Sequence, residues 1–386
     1  MTREKAPPRP VRPVAMYFPQ LHPIPENDEW WGKGFTDWEN VRQAKPQTEG
    51  HHQPRVPLDQ RYYDQSELNT LLWQVDLAKE YGIYGFCHYH YWFDGKQLLE
   101  TPTNLAMENP KLDFPFCLSW ANETWSRRWD GQDSQILIQQ THPPEKSSWK
   151  RHFDYLIRAW SHKNALRVDD KPVFAIYRPH RIPQIGQMLD YWRELAAQHG
   201  IDDLYFIAQK QYEHPLAEQL EGFDAEFQFQ PFEAIFSPQF KSPTPSLKQS
   251  RLAKVLRALP DSMQDRFREI KYRYFQSLSF HDYDWVWQHI VEVREHPELT
   301  TFPGAFVDWD NTARYKNRAT IFRGANPERF EYWFARLVES MPKRNLPENL
   351  IFVNAWNEWA EGTYLEPDET NGFRYLEAIK RVLQYA

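Results

Sequence analysis

The sequence predicts an α/β fold, a single (β/α)8 TIM barrel, and three observations carry that reading. Short apolar runs alternate with amphipathic stretches along most of the chain. Polar and aromatic residues gather at one end of those runs, while the segments that enter them are bland. The glycine-rich turn of an open nucleotide-binding sheet is missing: Gly32-Lys33-Gly34 is followed by Asp37 where that fingerprint needs glycine, and it follows no strand-like run.

The runs are Val14–Pro19, Ile83–Tyr89, Phe114–Trp120, Val173–Tyr177, Leu204–Ala208, Ala225–Gln230, Gly304–Trp309 and Leu350–Ala355. Each has the length of an ordinary strand, and their continuous apolarity suits strands covered on both faces. Ser66–Tyr81 places Leu68, Leu71, Leu72, Val75 and Ala78 on a helical period and stops at Gly82. Pro183–His199 repeats the pattern with Ile185, Met188, Leu189, Trp192 and Leu195, and Gly200 follows. Pro327–Val338 and Phe373–Leu383 read as two further helices. A barrel needs ~250 residues, and the chain has 386. The surplus falls in long loops after strands one and six, at about 20–63 and 232–301. The second holds a polar stretch, Ser242–Ser250, and a basic helical stretch from Arg251 to Tyr274. Residues 1–13, rich in proline and arginine, read as a flexible arm and 14–386 as the barrel.

Lys and Arg number 46 and Asp and Glu 53, a net charge of −7 with no long basic run, which speaks against nucleic acid or an anionic membrane as partner. No apolar run approaches the ~20 residues of a membrane-spanning helix, and no apolar leader opens the chain, so a cytoplasmic protein is expected. Cys87 and Cys117 lie inside apolar runs and read as buried thiols. Aromatic residues make up 16% of the chain, 17 of them Trp. Such rings stack on the C–H faces of sugars, so an oligosaccharide or polysaccharide is the expected partner. Nothing in the sequence fixes the oligomeric state.

Chemistry in a barrel of this kind sits where the strands end. Tyr17 and His22 follow run one, and His88, His90 and Trp92 follow run two. Run three ends in Trp120, Asn122, Glu123 and Trp125, and run eight in Trp356 and Asn357. Just beyond, Glu358 and Glu361 stand three apart. In a helical turn they would share one side; in continuing strand they would face opposite ways. Cleavage of a glycosidic bond needs two carboxyl groups, one protonated and one ionised. Tryptophans beside them would raise one pKa by excluding water. His88-x-His90 permits a metal, but no further Cys or His completes a site, so no metal and no cofactor are expected. Asp308-Trp309-Asp310 and Asp282-Tyr283-Asp284 match an Asp-x-Asp pattern used by some sugar transferases, at a frequency that chance alone supplies.

Five stretches, Tyr17–His22, Trp31–Trp38, Gly85–Trp92, Trp120–Trp125 and Asn354–Pro367, resemble the WbsX-type proteins, a lipopolysaccharide-associated family grouped with glycoside hydrolase family 99-like domains. The resemblance implies a (β/α)8 barrel. Family 99 hydrolases are retaining, endo-acting enzymes on α-mannosidic linkages with the motif Asn-Glu-Trp-x-Glu-Gly-Thr, and this chain has Asn357-Glu358-Trp359-Ala360-Glu361-Gly362-Thr363. By that match Glu361 would be the general acid/base. Glu358 would deprotonate the neighbouring 2-hydroxyl, which then attacks the anomeric carbon. Ala360 stands where those enzymes usually carry His. The resemblance also makes Trp31, Asp310, Arg314 and Tyr364 candidate sugar contacts. Three functions are thereby expected in descending order: an endo-acting hydrolase of a bacterial surface or capsular polysaccharide, a glycosyltransferase of polysaccharide assembly, and a non-catalytic carbohydrate-binding barrel.

Overall fold

In a computed structural model, the structure describes residues 10–127, 132–211, 217–237, 239–240, 278–292, 299–344 and 346–384. The stretches Ser242–Ser250 and Arg251–Tyr274 lie outside the described residues. Each predicted run contains a barrel strand: β1 (Arg12–Tyr17), β2 (Gly85–Phe93), β3 (Phe116–Trp120), β4 (Lys171–Ile176), β5 (Tyr205–Lys210), β6 (Ala225–Gln228), β7 (Thr300–Phe302 and Gly304–Phe306) and β8 (Leu350–Asn354). β1 starts at Arg12, inside the stretch read as an arm, because the Arg12 backbone N–H bonds Asn349 O at 2.9 Å and pairs the strand with β8 from its first residue.

Every neighbour in the barrel is parallel, in the order β1 to β8, with β8 returning to β1 through Val14↔Phe352. Strand seven closes the ring by changing partners: Thr300–Phe302 pairs with β6, and Gly304–Phe306 with β8. At that seam only glycine fits, since a Cβ on Gly304 would sit 1.8 Å from Gln228 O. The chain is therefore a (β/α)8 barrel.

The flanking helices are α1 (Leu68–Glu80), α2 (Thr101–Glu108), α3 (Lys146–Trp160), α4 (Ile185–Gln198), α5 (Tyr283–Glu292), α6 (Pro327–Ser340) and α7 (Arg374–Gln384). Their formation follows ordinary chemistry. In α3, Trp149, His152, Phe153, Leu156 and Trp160 recur on one buried face. α6 opens with Asn326, whose side chain accepts from the Arg329 N–H at 2.9 Å, and with proline at the first turn.

Strand alternation divides the core in two. Val14, Met16, Cys87, Cys117, Phe227 and Phe352 fill the barrel, with Phe227 and Phe352 stacked at 4.3 Å. Their sequence neighbours Ala15, Tyr17, Phe86, Leu118, Trp120 and Ile351 face outward against the helices. That division decides which candidate residues reach the mouth. The β1–α1 connection carries two short helices, Pro25–Trp31 and Trp38–Gln43, over that mouth, and a hairpin of Trp125–Arg127 with Gln132–Ile138 follows β3.

Candidate active site

β8 ends at Asn354, and the chain then folds back on itself. Asn357–Glu358 pairs antiparallel with Thr363–Tyr364 around the one-turn helix Trp359–Glu361. Gly362 closes the turn at φ 64, and a Cβ there would lie 2.8 Å from Asp310 O, so the position needs glycine twice over. Asp310 N–H holds the turn by donating to Glu361 O at 2.8 Å. The tight turn settles the geometry that spacing left open: Glu358 and Glu361 point the same way and meet one guanidinium.

That guanidinium is Arg314, on the short helix Thr312–Tyr315 after β7. Its Nη1 lies 2.6 Å from Glu361, and its Nη2 lies 3.1 Å from Glu358 and 2.6 Å from Asp37. Its charge sits over the Phe18 ring at 5.0 Å. Asp37 heads the short helix Trp38–Gln43 and is buried. One buried cation thus faces three acids, Asp37 and Glu358 buried and Glu361 partly exposed, an excess of negative charge around Arg314. Burial raises Glu358 well above the usual carboxylate range, and Glu361 and Asp37 push it further against Arg314. Burial and Asp37 also raise Glu361. Glu361 is the more accessible, with 20% of its side chain exposed against 8% for Glu358.

Across from them stand Tyr89 and Tyr91 of β2, whose hydroxyls burial and the two glutamates hold protonated. Trp125 lies edge-on to Tyr91 at 4.9 Å and carries the aromatic wall outward to Trp30 at 5.9 Å. Trp31 is on the same loop, against Phe35 and under Arg127.

Behind the turn lies Glu366. It accepts from Tyr63 Oη, Gln74 Nε2 and Trp359 Nε1, each at 2.7 Å, and burial pushes it up to about 7. Asn357 stitches the turn to the end of β1: its Oδ1 accepts from Phe18 N–H at 2.8 Å and its Nδ2 donates to Phe18 O at 2.9 Å. Tyr364 stacks on Trp359 at 3.8 Å and donates to Asp368. Asp310 is a tie between loops, accepting from Gln53 and Thr312 and bonded to His51 at 2.7 Å.

Several predicted contacts face away from this mouth. Tyr17 donates to Gln74 and stacks on His88 at 4.4 Å, and His88 bonds Thr103 under α2. His90 bonds His152 of α3 at 2.9 Å. Trp92 stacks on His152 at 4.6 Å, and Trp120 packs edge-on to the same ring. Trp356 packs on Phe86 in the outer layer. These residues are corrected from mouth to wall. Met16, Cys117 and the set Cys87, Tyr89 and Tyr91 take the inward faces of β1, β3 and β2, so Tyr17, Trp120, His88, His90 and Trp92 face the helices. Trp356, past the end of β8, joins the outer cluster. Burial lowers His88 and His90 to about 3, so both are neutral. His22 is buried in the loop after β1, likewise lowered by burial. Asn122 crosslinks to the Arg178 backbone through both amide atoms, while Glu123 pairs with the Arg178 side chain at 2.8 Å.

Sequence reasoning missed Asp37, Tyr89, Tyr91 and Glu366 as site residues. Alternation inside β2 was the available signal: Tyr89 and Tyr91 share a face with Cys87, the one residue of that run already read as core. Each aspartate of the two Asp-x-Asp stretches has a protein partner. Asp308 pairs with Arg55 at 2.9 Å, Asp282 accepts from Trp285 N–H, and Asp284 accepts from Trp333 Nε1. Among the described residues, no group of three or more His, Cys, Asp or Glu is placed to hold a metal ion, and no helix is long and apolar enough to cross a membrane.

A (β/α)8 barrel with clustered acids at the carboxyl-terminal mouth of its strands defines the class. Residues 13–379 match the family model described as "Glycosyltransferase WbsX", and the chain belongs to that WbsX family. It is 37% identical over 380 residues to the uncharacterized protein WxcX of Xanthomonas campestris pv. campestris strain B100, a match over 98% of this chain and 50% of that one. The homologue from strain ATCC 33913 matches to the same degree, so the chain spans about half the length of the curated relatives it matches. Among solved structures, a glycoside hydrolase-like protein superposes with a TM-score of 0.57 at 13% identity, covering 99% of this chain and 97% of that one. The GH99 endo-alpha-mannosidase of Bacteroides thetaiotaomicron in complex with BIS-TRIS-propane gives 0.51 at 12% identity, with 97% of each chain covered. These likenesses establish the shared barrel.

Proposed function

We propose that this protein is a glycan-processing enzyme, and specifically an endo-acting, retaining glycoside hydrolase of a bacterial surface or capsular polysaccharide. The observation that carries this reading is the pairing of Glu358 and Glu361 on one side of one turn, both raised above the ordinary carboxylate range and both held by Arg314. Two coupled acids that share a proton supply an acid and a base at neutral pH.

Glu361, the more accessible, donates its proton to the departing glycosidic oxygen. Glu358 takes the proton of the sugar's 2-hydroxyl as that oxygen attacks the anomeric carbon and displaces the leaving group. A water, deprotonated by Glu361, then opens the epoxide-like intermediate, and Glu358 returns its proton to the 2-oxygen. Burial raises both acids, which favours a proton held on the pair, and the reaction draws on it at Glu361. Arg314 keeps whichever acid is ionised compensated throughout. Tyr89, Tyr91 and Trp125 offer the ring faces and hydroxyls that a sugar requires.

The test is a panel of bacterial surface polysaccharides screened for released oligosaccharides, with NMR of the first-formed anomer. Release with retained configuration supports the reading; release with inversion removes the 2-hydroxyl mechanism, and no release from any member removes the hydrolase.

One alternative has an observation of its own, the family's description as a glycosyltransferase. Under it the same mouth would bind a nucleotide sugar and an acceptor. Transfer from a nucleotide sugar, abolished by EDTA, would establish it in place of hydrolysis.

A further inference from the structure

Across the barrel from β1, strand β5 ends in Gln209 and Lys210 with Gln211 next in the chain, and the two glutamines have unspent hydrogen-bonding capacity. Ser119 Oγ of β3 donates to Gln209 Oε1 at 3.3 Å. β4 lies between those two strands, so the bond spans the inside of the barrel, over the small Ala175 that pairs with Ser119. Gln209 therefore faces inward, and Gln211 is the first residue past the end of the strand. Both are almost fully buried, at 2% and 3% exposure. Gln209 Nε2 has no partner, and neither amide atom of Gln211 has one. Buried polar groups are nearly always paired, and leaving one unmade carries the full cost of taking it out of water. Two such amides together, at the catalytic end of a barrel, mark a place built for something other than the fold.

Tyr89 of β2, Ile207 of β5 and Phe227 of β6 belong to the buried cluster of the barrel interior that Gln209 faces. The unspent groups are two amide nitrogens, with four N–H between them, and one carbonyl oxygen, all neutral, and Lys210 is turned to the opposite face of β5, where it pairs with Glu233. This donor and acceptor set fits adjacent hydroxyls of an uncharged sugar ring and offers no cation to a carboxylate or phosphate.

We propose that Gln209 and Gln211, supported by Ser119, form a subsite that reads the hydroxyls of a neutral pyranose, in the same carbohydrate chain whose glycosidic bond lies at Glu358 and Glu361. The inference deepens the carbohydrate reading of the mouth and rests on it.

The experiment uses the full chain carrying Glu361→Gln, so that ligands bind without turnover. Neutral manno-, gluco- and galacto-trisaccharides are titrated by calorimetry and saturation-transfer NMR, with tri-galacturonate as the charged control. At least one neutral trisaccharide binds, and tri-galacturonate binds more weakly. Adding Gln209→Met or Gln211→Met weakens the neutral ligand about tenfold for each amide lost. For Gln211→Met, Tm holds or rises, because an unpaired buried amide is replaced by an apolar chain of similar size; Gln209→Met also gives up the bond from Ser119 and lowers Tm slightly. Unchanged affinity in both variants, or a lowered Tm in both, overturns the subsite and leaves the hydrolase standing. If the unaltered protein releases oligosaccharide from polysaccharide and both glutamine variants do so equally well, the subsite alone falls. If none of the four trisaccharides binds, the subsite and the carbohydrate reading fall together.

Discussion

After β8, Glu358 and Glu361 turn inward and meet Arg314 and Asp37; along β2, His88 and His90 turn outward and meet α2 and α3. In sequence the two regions look alike, with titratable groups set among aromatic rings at the end of an apolar run. In the fold one is an electrostatic knot in the mouth, and the other is a neutral stack of rings in the wall. The histidines are lowered by burial with no charge to oppose it, so they lose their protons and become packing. The glutamates are raised by burial and by neighbouring acids, Asp37 for both and Glu361 for Glu358, while Arg314 opposes the rise. Burial thus neutralises a titratable group unless the fold brings a counter-ion to it, and only the group with a counter-ion stays poised for proton transfer.

The largest expected effect breaks the mouth. Glu361→Gln should cut oligosaccharide release by roughly a thousandfold, within the range for loss of a general acid, while the thermal melt followed by circular dichroism stays within a few degrees. A variant with full activity would take the acid role from Glu361.

Arg314→Met should be next. It leaves buried acids with no cation, a change that costs about 3–5 kcal/mol in folding stability. The loss, measured by urea titration, should shrink as pH falls, since protonation relieves the same repulsion. A loss that does not vary with pH would mean that Arg314 is packing and not charge.

The third expectation separates the regions by the sign of their pH dependence. Glu366 holds its proton up to about 7 when folded, against 4.5 for an ordinary glutamate. The folded state therefore binds more protons between those values, and stability from this group is full below pH 4.5 and lost as pH rises through 7, by roughly 3 kcal/mol. His88 and His90, at about 3 against 6.5, act oppositely: their contribution is full above pH 6.5 and lost as pH falls towards 3. Urea midpoints across pH 4 to 8 should flatten on the alkaline side in Glu366→Gln and remain steep on the acid side. An unchanged alkaline slope would remove Glu366 as its source.

The smallest effect concerns the wall. His90→Phe should leave oligosaccharide release unchanged and cost about 1–2 kcal/mol of stability, the loss of one buried hydrogen bond to His152. A large fall in kcat with no change in Tm would return His90 to the mouth.

Strand number, the approximate position of the barrel strands and the two glutamates as candidates were legible because burial on both faces writes continuous apolar runs, and because a polar turn interrupts them; the first half of β7, Thr300–Phe302, fell outside its run. The four helices named from periodicity are all present. α2, α3 and α5 were not singled out, since their buried faces include Thr103, His152 and Tyr283, residues that a search for aliphatic spacing passes over. The same continuous apolarity hid which side of each strand faces inward. That is why Tyr17, His88, His90, Trp92, Trp120 and Trp356 were expected in the mouth and Tyr89 and Tyr91 were not.

By itself the sequence determined the architecture and singled out Glu358 and Glu361 as candidates, while whether the two share a side waited on the turn after β8. Only the tertiary structure decided the electrostatic partners, because Asp37, Arg314 and Glu358 come from the loops after three different strands and converge only when the barrel closes. Whether a carboxylate keeps its proton depends on charges a few ångströms away in space, and no distance along the chain encodes that.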